Sequence, residues 1–438
     1  MSRVFPRVLG RNLPMVERGE GALVWDTAGT RYIDAAGGAI VVGIGHGDRT
    51  VIDALTRQAN KISYTHGTQF TSEPLEEYAV QVAPLLPVDD ARIYPVSGGS
   101  EAVETALKIA RAYFVATGRE SRHKVIARAG SYHGNTRGAL DASGRETLRA
   151  PYAPWLGRTV RVPAVYEYRC TFEEHPIGCA DAHAQLLDKT IRREGPDTVA
   201  CFIAEPVVGA ALGAAVPSPG YWDAIESVCR EHGVLIITDE VMTGFGRTGT
   251  MFACEHWGVR PDIVAAGKGA SSGYWPFGFA ACSSEIFEAL SRTGFAHGFT
   301  YSHSVVGAAV AGAVLERLRA DDLVAASREV GEMLLKLLAE AVGEHPNVGD
   351  IRGLGAMIGI EIVADRGDKT PFPRDRKVTE QLLLAAHQRG VLLYPSTGGA
   401  NGRDGDVVML GPPFVITEDQ IQEVVATLTG VVSDLLSQ

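Results

Sequence analysis

Cysteine is scarce in this chain. Six are scattered irregularly over 438 residues, too few and too uneven for a disulfide framework, which points to a reducing compartment. A basic tract is missing as well, and the net charge is −11; nucleic acid and anionic membranes, which reward clustered cations, are therefore disfavoured as partners. No uncharged apolar run reaches the ~18 residues of a spanning helix. The opening "MSRVFPRVLGRN" lacks the apolar centre of a secretory signal. Neither a repeat of fixed period nor a low-complexity linker occurs. The expectation left by these absences is a cytoplasmic globular protein, 45% hydrophobic and long enough for more than one lobe.

What is present is alternation. "ARIYPV", "KVIARA", "TVACFIAEPV", "VLIITDEV" and "DIVAAGK" are short, continuous apolar runs, the pattern of strands covered on both faces. Helical patterns separate them. "SEAVETALKIARAYF" sets Ala102, Ala106, Ile109, Ala110 and Tyr113 on one face, and "SPGYWDAIESVCREHG" closes on Gly233, a stop signal. This order implies an α/β sheet. From about residue 306 the chain reads as one long helical run, followed by short strands ("AMIGIEIV", "GVLLY", "DVVMLGP") and an amphipathic C-terminal helix. The expected architecture is a large α/β domain over 56–320, with a mostly parallel sheet, and a smaller α/β domain assembled from 1–55 and 321–438.

"TDEVMTGFGRTG" holds a G-x-G-x-x-G at Gly244, Gly246 and Gly249. A dinucleotide turn starts at the strand end and opens a helix. Here Asp239 to Thr243 intervene, and "TMFACEHWGVRPD" is a poor helix, so the glycines are expected to form a tight turn. A P-loop reading of "AAGKGASSG" fails because Gly269, not Ser or Thr, follows Lys268. The acid and the lysine carry more. Asp239 ends one strand and Lys268 follows another, and strand carboxyl ends are where α/β sheets bind ligands. A glycine-flanked, apolar setting lowers a lysine's pKa and favours the nucleophilic amine. Taken singly, the two read as a helix cap and a surface lysine. "VSGGSEAVETALKIAR" adds a Gly-Gly-Ser turn at a helix start, a ready phosphate site, and "AGSYHGNT" sets Tyr132 and His133 in a turn after a strand. A phosphate cradle, an aromatic platform, an acid and a lysine together suit pyridoxal 5′-phosphate.

These stretches closely resemble the class III aminotransferases, the branch of fold-type I pyridoxal phosphate enzymes that includes ω-amino acid transaminases. The likeness runs from "VWDTAGTRYIDAAGGAIVVGIGH" to "GPPFVIT" and is densest in "SGGSEAVETALKIAR", "SYHG", "IAEPVVG", "TDEVMTGFGRTG", "PDIVAAGKG" and "GFTYSHS". The resemblance implies catalytic roles for Lys268, as the Schiff-base lysine and proton carrier, and for Asp239, as partner of the pyridine N–H. It implies cofactor binding by Gly99, Ser100, Tyr132, His133, Glu205 and Val241 as well. Within that set Tyr132 and Val241 cover the two ring faces, and Glu205 stands near the substrate side. Thr300 joins the phosphate from the partner subunit of a homodimer, or of a tetramer of paired dimers, with the active sites at the subunit interface. No metal is implied.

Three departures bear on substrate. Met242 stands where many members have Gln. Val407, Val408 and Met409 stand where members using α-carboxylates often carry an arginine, so Arg247 or Arg403 must meet a carboxylate, or else the acceptor is an aldehyde or ketone. "TYSHSVV" leaves His303 without an assigned role. Cys170, His175, Cys179 and His183 are metal-capable types, but their spacing matches no standard zinc pattern. The expected activity is amino transfer from a primary amine or ω-amino acid to an aldehyde or α-keto acid, by a ping-pong mechanism. Decarboxylating transamination and 2,1-aminomutase chemistry are alternatives on the same scaffold. More distant ones are a non-catalytic regulatory protein and a nicotinamide oxidoreductase.

Overall fold

The computed structural model describes residues 3–10, 12–170, 172 and 178–436; His175 lies outside them. Three short strands, β1 (Val16–Glu20), β2 (Leu23–Asp26) and β3 (Arg31–Asp34), form an antiparallel meander. The central sheet follows, with β4 (Arg92–Val96), β5 (Lys124–Arg128), β6 (Val160–Val162), β7 (Val199–Ala204), β8 (Leu235–Asp239), β9 (Ile263–Ala266) and β10 (Gly278–Cys282). Their order across the sheet is β4-β10-β9-β8-β7-β5-β6. All neighbours run parallel except at β10, which is antiparallel to both β4 and β9.

Every residue of β7, β8, β9 and β10 is buried, because helices cover both faces, as the continuous apolar runs require. Successive side chains point to opposite sides. Cys201, Ile203 and Ile237 pack with Ala102, Ala106 and Ile109 of the helix Gly99–Ala116. Phe202, Ile236 and Val264 pack with Leu187, Trp222 and Ile225 from the helices Cys179–Glu194 and Tyr221–His232.

The long run after residue 306 is two helices, Val305–Ala320 and Leu323–Val342, not one. Between them stand Asp321 and Asp322, and Asp322 adopts the left-handed φ of 51°. The short polar side chain of Asp tolerates that conformation, and the chain turns there. A third sheet combines β11 (Val348–Leu354), β12 (Met357–Ile362), β14 (Tyr394–Thr397) and β15 (Asp406–Leu410) in the order β11-β12-β15-β14. β13 (Val391–Leu392) leaves that region and pairs in parallel with β3, Val391 opposite Ile33. The N- and C-terminal parts of the chain thus share a sheet. Among the described residues, no helix is long and apolar enough to cross a membrane.

Candidate active site

Five strands of the central sheet end on one side of the molecule, and each delivers a residue there. The turn after β4 starts the helix Gly99–Ala116. Glu101 reaches back to accept from Ser97 N–H and its hydroxyl, at 2.9 and 2.6 Å, which fixes the first turn and leaves early backbone N–H groups directed outward. Gly99 permits close packing, since a Cβ there would lie 2.5 Å from Val241 Cγ1. Ser100 Oγ accepts from Asn135 N–H at 3.1 Å, so its own hydroxyl hydrogen stays available for an anion at a positive helix end.

β5 leads to Ser131, Tyr132 and His133. The His133 ring is buried, and its Nδ1 donates to Asp239 Oδ2 at 2.6 Å. The other oxygen of Asp239 accepts from Val241 N–H at 3.0 Å. The carboxylate at the end of β8 is therefore oriented from two sides, while His133 Nε2, also buried, has no partner among the described residues. Glu205, just past β7, accepts from Tyr132 N–H at 3.0 Å and Gly209 N–H at 2.9 Å. Burial pushes its carboxyl pKa up.

Lys268 follows β9 through Gly267 and takes a left-handed φ of 41°, an uncommon conformation for a side-chain-bearing residue and one that clusters at functional sites. Its neighbours must be small: a Cβ on Gly269 would lie 2.9 Å from Phe245 Cβ. Burial lowers the Lys268 amine to about 8, against the opposing pull of Asp239 and Glu205. Gly99, Ser100, Tyr132, His133, Glu205, Asp239, Val241 and Lys268 all line one cleft of about 160 Å³, together with Gly134 and Met242. Gly244 to Gly249 form a turn closed by Gly249 N–H to Gly246 C=O at 2.9 Å, and no helix begins on it.

Several expected residues stand elsewhere. Thr300 is exposed and off the cleft. Arg247 is not a carboxylate receptor: it is buried, donates to the carbonyls of Ala356, Pro412 and Val42 at 3.0, 2.7 and 3.0 Å, and lies over the Phe414 ring. Arg403 is exposed. Val407 and Met409 share an apolar cluster with Met242, whereas Val408 points to the main core. His303 sets its ring against Tyr94, 4.9 Å between centroids. His183 is buried against Phe172 and Tyr221, and Cys170 and Cys179 approach to 3.6 Å between sulfurs. Gly134 and Asn135 were not anticipated; "SYHG", which ends on Gly134, was the signal for the first of them.

Known proteins show which family the chain resembles over nearly its whole length. The family model described as "Aminotransferase class-III" matches residues 7–432. An uncharacterised aminotransferase of Bacillus subtilis, YodT, is 38% identical over 422 residues, covering 96% of this chain and 95% of its own. A thermostable (S)-enantioselective omega-transaminase from Thermomicrobium roseum superposes with a TM-score of 0.92 at 36% identity, over 99% of this chain and 96% of its own. The omega transaminase from Pseudomonas jessenii, solved in complex with PMP, gives 0.93 at 30% identity, over 100% and 97%.

Proposed function

Because the chain belongs to the class III aminotransferase family, we propose that it takes the amino group from a primary amine or ω-amino acid and passes it to an aldehyde or α-keto acid, in two ping-pong half-reactions. The family's cofactor is pyridoxal 5′-phosphate, and the residues present fit it. A helix N-terminus with a free Ser100 hydroxyl suits the phosphate, and an oriented carboxylate suits a protonated ring nitrogen. When bound, that group supplies an electrophilic aldehyde and a ring that withdraws electrons from the carbon bearing the amine.

The chain's own residues do the rest. Asp239, oriented by His133 and the Val241 N–H, would face the cofactor's ring nitrogen and pair with its N–H. Ser100 and the first N–H groups of its helix bind the phosphate. Tyr132 and Val241, which line the same cleft, would cover the two ring faces and exclude water. Lys268 Nζ would hold the cofactor's aldehyde, and it is the base placed to take a proton from the donor's amine-bearing carbon. An amine lowered to about 8 accepts that proton near neutral pH far better than an ordinary lysine does. Thr300, in this reading, completes the phosphate site of a second subunit. The exposed Tyr64, Phe70 and Tyr301, with Tyr64 and Tyr301 rings 6.2 Å apart, support a subunit contact there. The reading keeps a large domain over 56–320 and a cytoplasmic location.

The observation that carries the proposal is the convergence of Lys268 and the His133–Asp239 pair in one cleft. The test is a near-ultraviolet to visible spectrum of the purified protein before and after a panel of amines, with Lys268→Ala as control. A lysine-dependent band that a subset of amines converts to the PMP spectrum supports it. No band after added pyridoxal phosphate sinks it.

A further inference from the structure

Cys170 and Cys179 stand nine positions apart, and their sulfurs lie 3.6 Å from each other. Both residues are partly exposed. The other four cysteines, Cys201, Cys229, Cys254 and Cys282, are buried, and burial pushes the thiols of Cys201 and Cys282 up to about 12. A buried thiol with so little thiolate is inert, whereas a pair in contact near solvent can react. Among the described residues, no third metal-capable side chain stands within ligand-sharing distance of both sulfurs. The pair therefore has the makings of a disulfide and not of a metal centre.

The two sulfurs differ. Phe172 N–H donates to Cys170 Sγ at 3.4 Å, which supports a thiolate there. Cys179 opens the helix Cys179–Glu194, and burial pushes its thiol up, so it is the later of the two to lose its proton. A bond needs the sulfurs about 1.5 Å closer than they stand. Gly178, directly before Cys179, has a φ of 84° and nothing within 4 Å of the place a Cβ would take, so the backbone there has room to yield. Cys170 ends a segment in which Tyr166 and Tyr168 pack with Leu212 and Tyr132, and in which Arg169 pairs with Glu361 of β12 at 3.1 Å. The helix that Cys179 opens packs on the central sheet through Leu187. A covalent link between the two cysteines ties the wall behind Tyr132 to that sheet.

We propose that Cys170 and Cys179 are a redox-modification site, a dithiol that a low-molecular-weight disulfide oxidises to an intramolecular disulfide and a small thiol reduces again. The Cys170 thiolate attacks one sulfur of the oxidant, which breaks the oxidant's S–S bond and expels one half as a thiolate. Cys179 then gives its proton to solvent and attacks Cys170 Sγ, and the new bond displaces the other half. Two electrons pass from the cysteine pair to the oxidant, and two small thiols leave. In a reducing compartment such bonds are transient and follow the redox state. This chemistry is independent of the reaction at Lys268.

The test equilibrates the native protein with glutathione buffers from fully reduced to fully oxidised, traps the remaining thiols with N-ethylmaleimide and maps them by peptide mass spectrometry. Cys170 and Cys179 are expected to lose alkylation together, in one two-electron step, and to yield a cross-linked peptide that excess reduced glutathione reverses. The four buried cysteines are expected to stay reduced throughout. No cross-linked peptide is expected from Cys170→Ser, and Cys179→Ser is expected to keep glutathione on Cys170 as a mixed disulfide. Alkylation of both sulfurs in fully oxidised glutathione overturns the proposal. So does glutathione retained on both in the wild type, or a link between chains on non-reducing electrophoresis. Stoichiometric zinc in the reduced protein, released only when the two thiols are alkylated, overturns it too. Where a serine variant fails to fold, the wild-type map decides by itself.

Discussion

Asp239 is oriented by two donors, and that determines what its amide variant should do. Asp239→Asn keeps the size and the bond from Val241 N–H but removes the negative charge facing His133 and the ring site. Turnover is expected to fall on the order of 10²-fold or more, while cofactor remains bound after ultrafiltration; unchanged turnover would refute the role. Lys268 gives a pH dependence with a defined sign. Its amine titrates at about 8, so the neutral, nucleophilic fraction grows as pH rises through that value and is nearly complete about two units above it. The rate at which apo-protein recaptures pyridoxal phosphate should therefore climb between pH 7 and 9 and then level. A flat profile over that span would contradict the assigned setting. Lys268 and Asp239, which singly read as a surface lysine and a helix cap, were legible only in combination with the Gly-Gly-Ser turn at Ser100 and with the resemblance of these stretches to a known family. The His133–Asp239 bond was not, since it joins positions 106 residues apart. Arg247 misled for the same reason: its carbonyl partners, Val42, Ala356 and Pro412, are remote in sequence.

At the scale of elements, the turn after β5 leans directly on the helix that begins at Gly99. A Cβ on Gly134 would lie 2.4 Å from Ser100 Oγ, and its φ of 132° disfavours any side chain. Gly134→Ala is expected to weaken cofactor affinity about tenfold or more, with far-ultraviolet circular dichroism unchanged, as measured by titrating apo-protein with pyridoxal phosphate. Equal affinity in the variant would show that the turn yields. β5, β7, β8 and β9 could be read as strands because burial on both faces writes continuous apolar runs. β10 escaped notice: "GFAAC" is short, rich in small residues and without a β-branched side chain, so its identity comes from pairing with β4 and β9 and not from propensity. The break at Asp321–Asp322 was hidden because helical spacing continues on either side of it.

For the whole molecule, the cleft in one chain holds eight of the nine expected site residues, and Thr300 stands apart. In the proposed dimer, a second subunit supplies Thr300, and cofactor retention then depends on assembly. Thr300→Val is expected to raise the dissociation constant for pyridoxal phosphate about tenfold through loss of one hydrogen bond to a charged group, and dilution below the dimer dissociation constant should do the same in the wild type. Analytical ultracentrifugation paired with cofactor titration checks both; a monomer that holds cofactor at full affinity would remove Thr300 from the site. One pairing described above also bears on how the protein is made. β3 ends near residue 34, yet its parallel neighbour β13 begins at Val391. At ordinary elongation speeds the first strands leave the ribosome tens of seconds before their partner exists. Through that interval the free edge of β3 is a template for wrong pairing. A segment synthesised among the first is thus completed only when the chain is nearly whole.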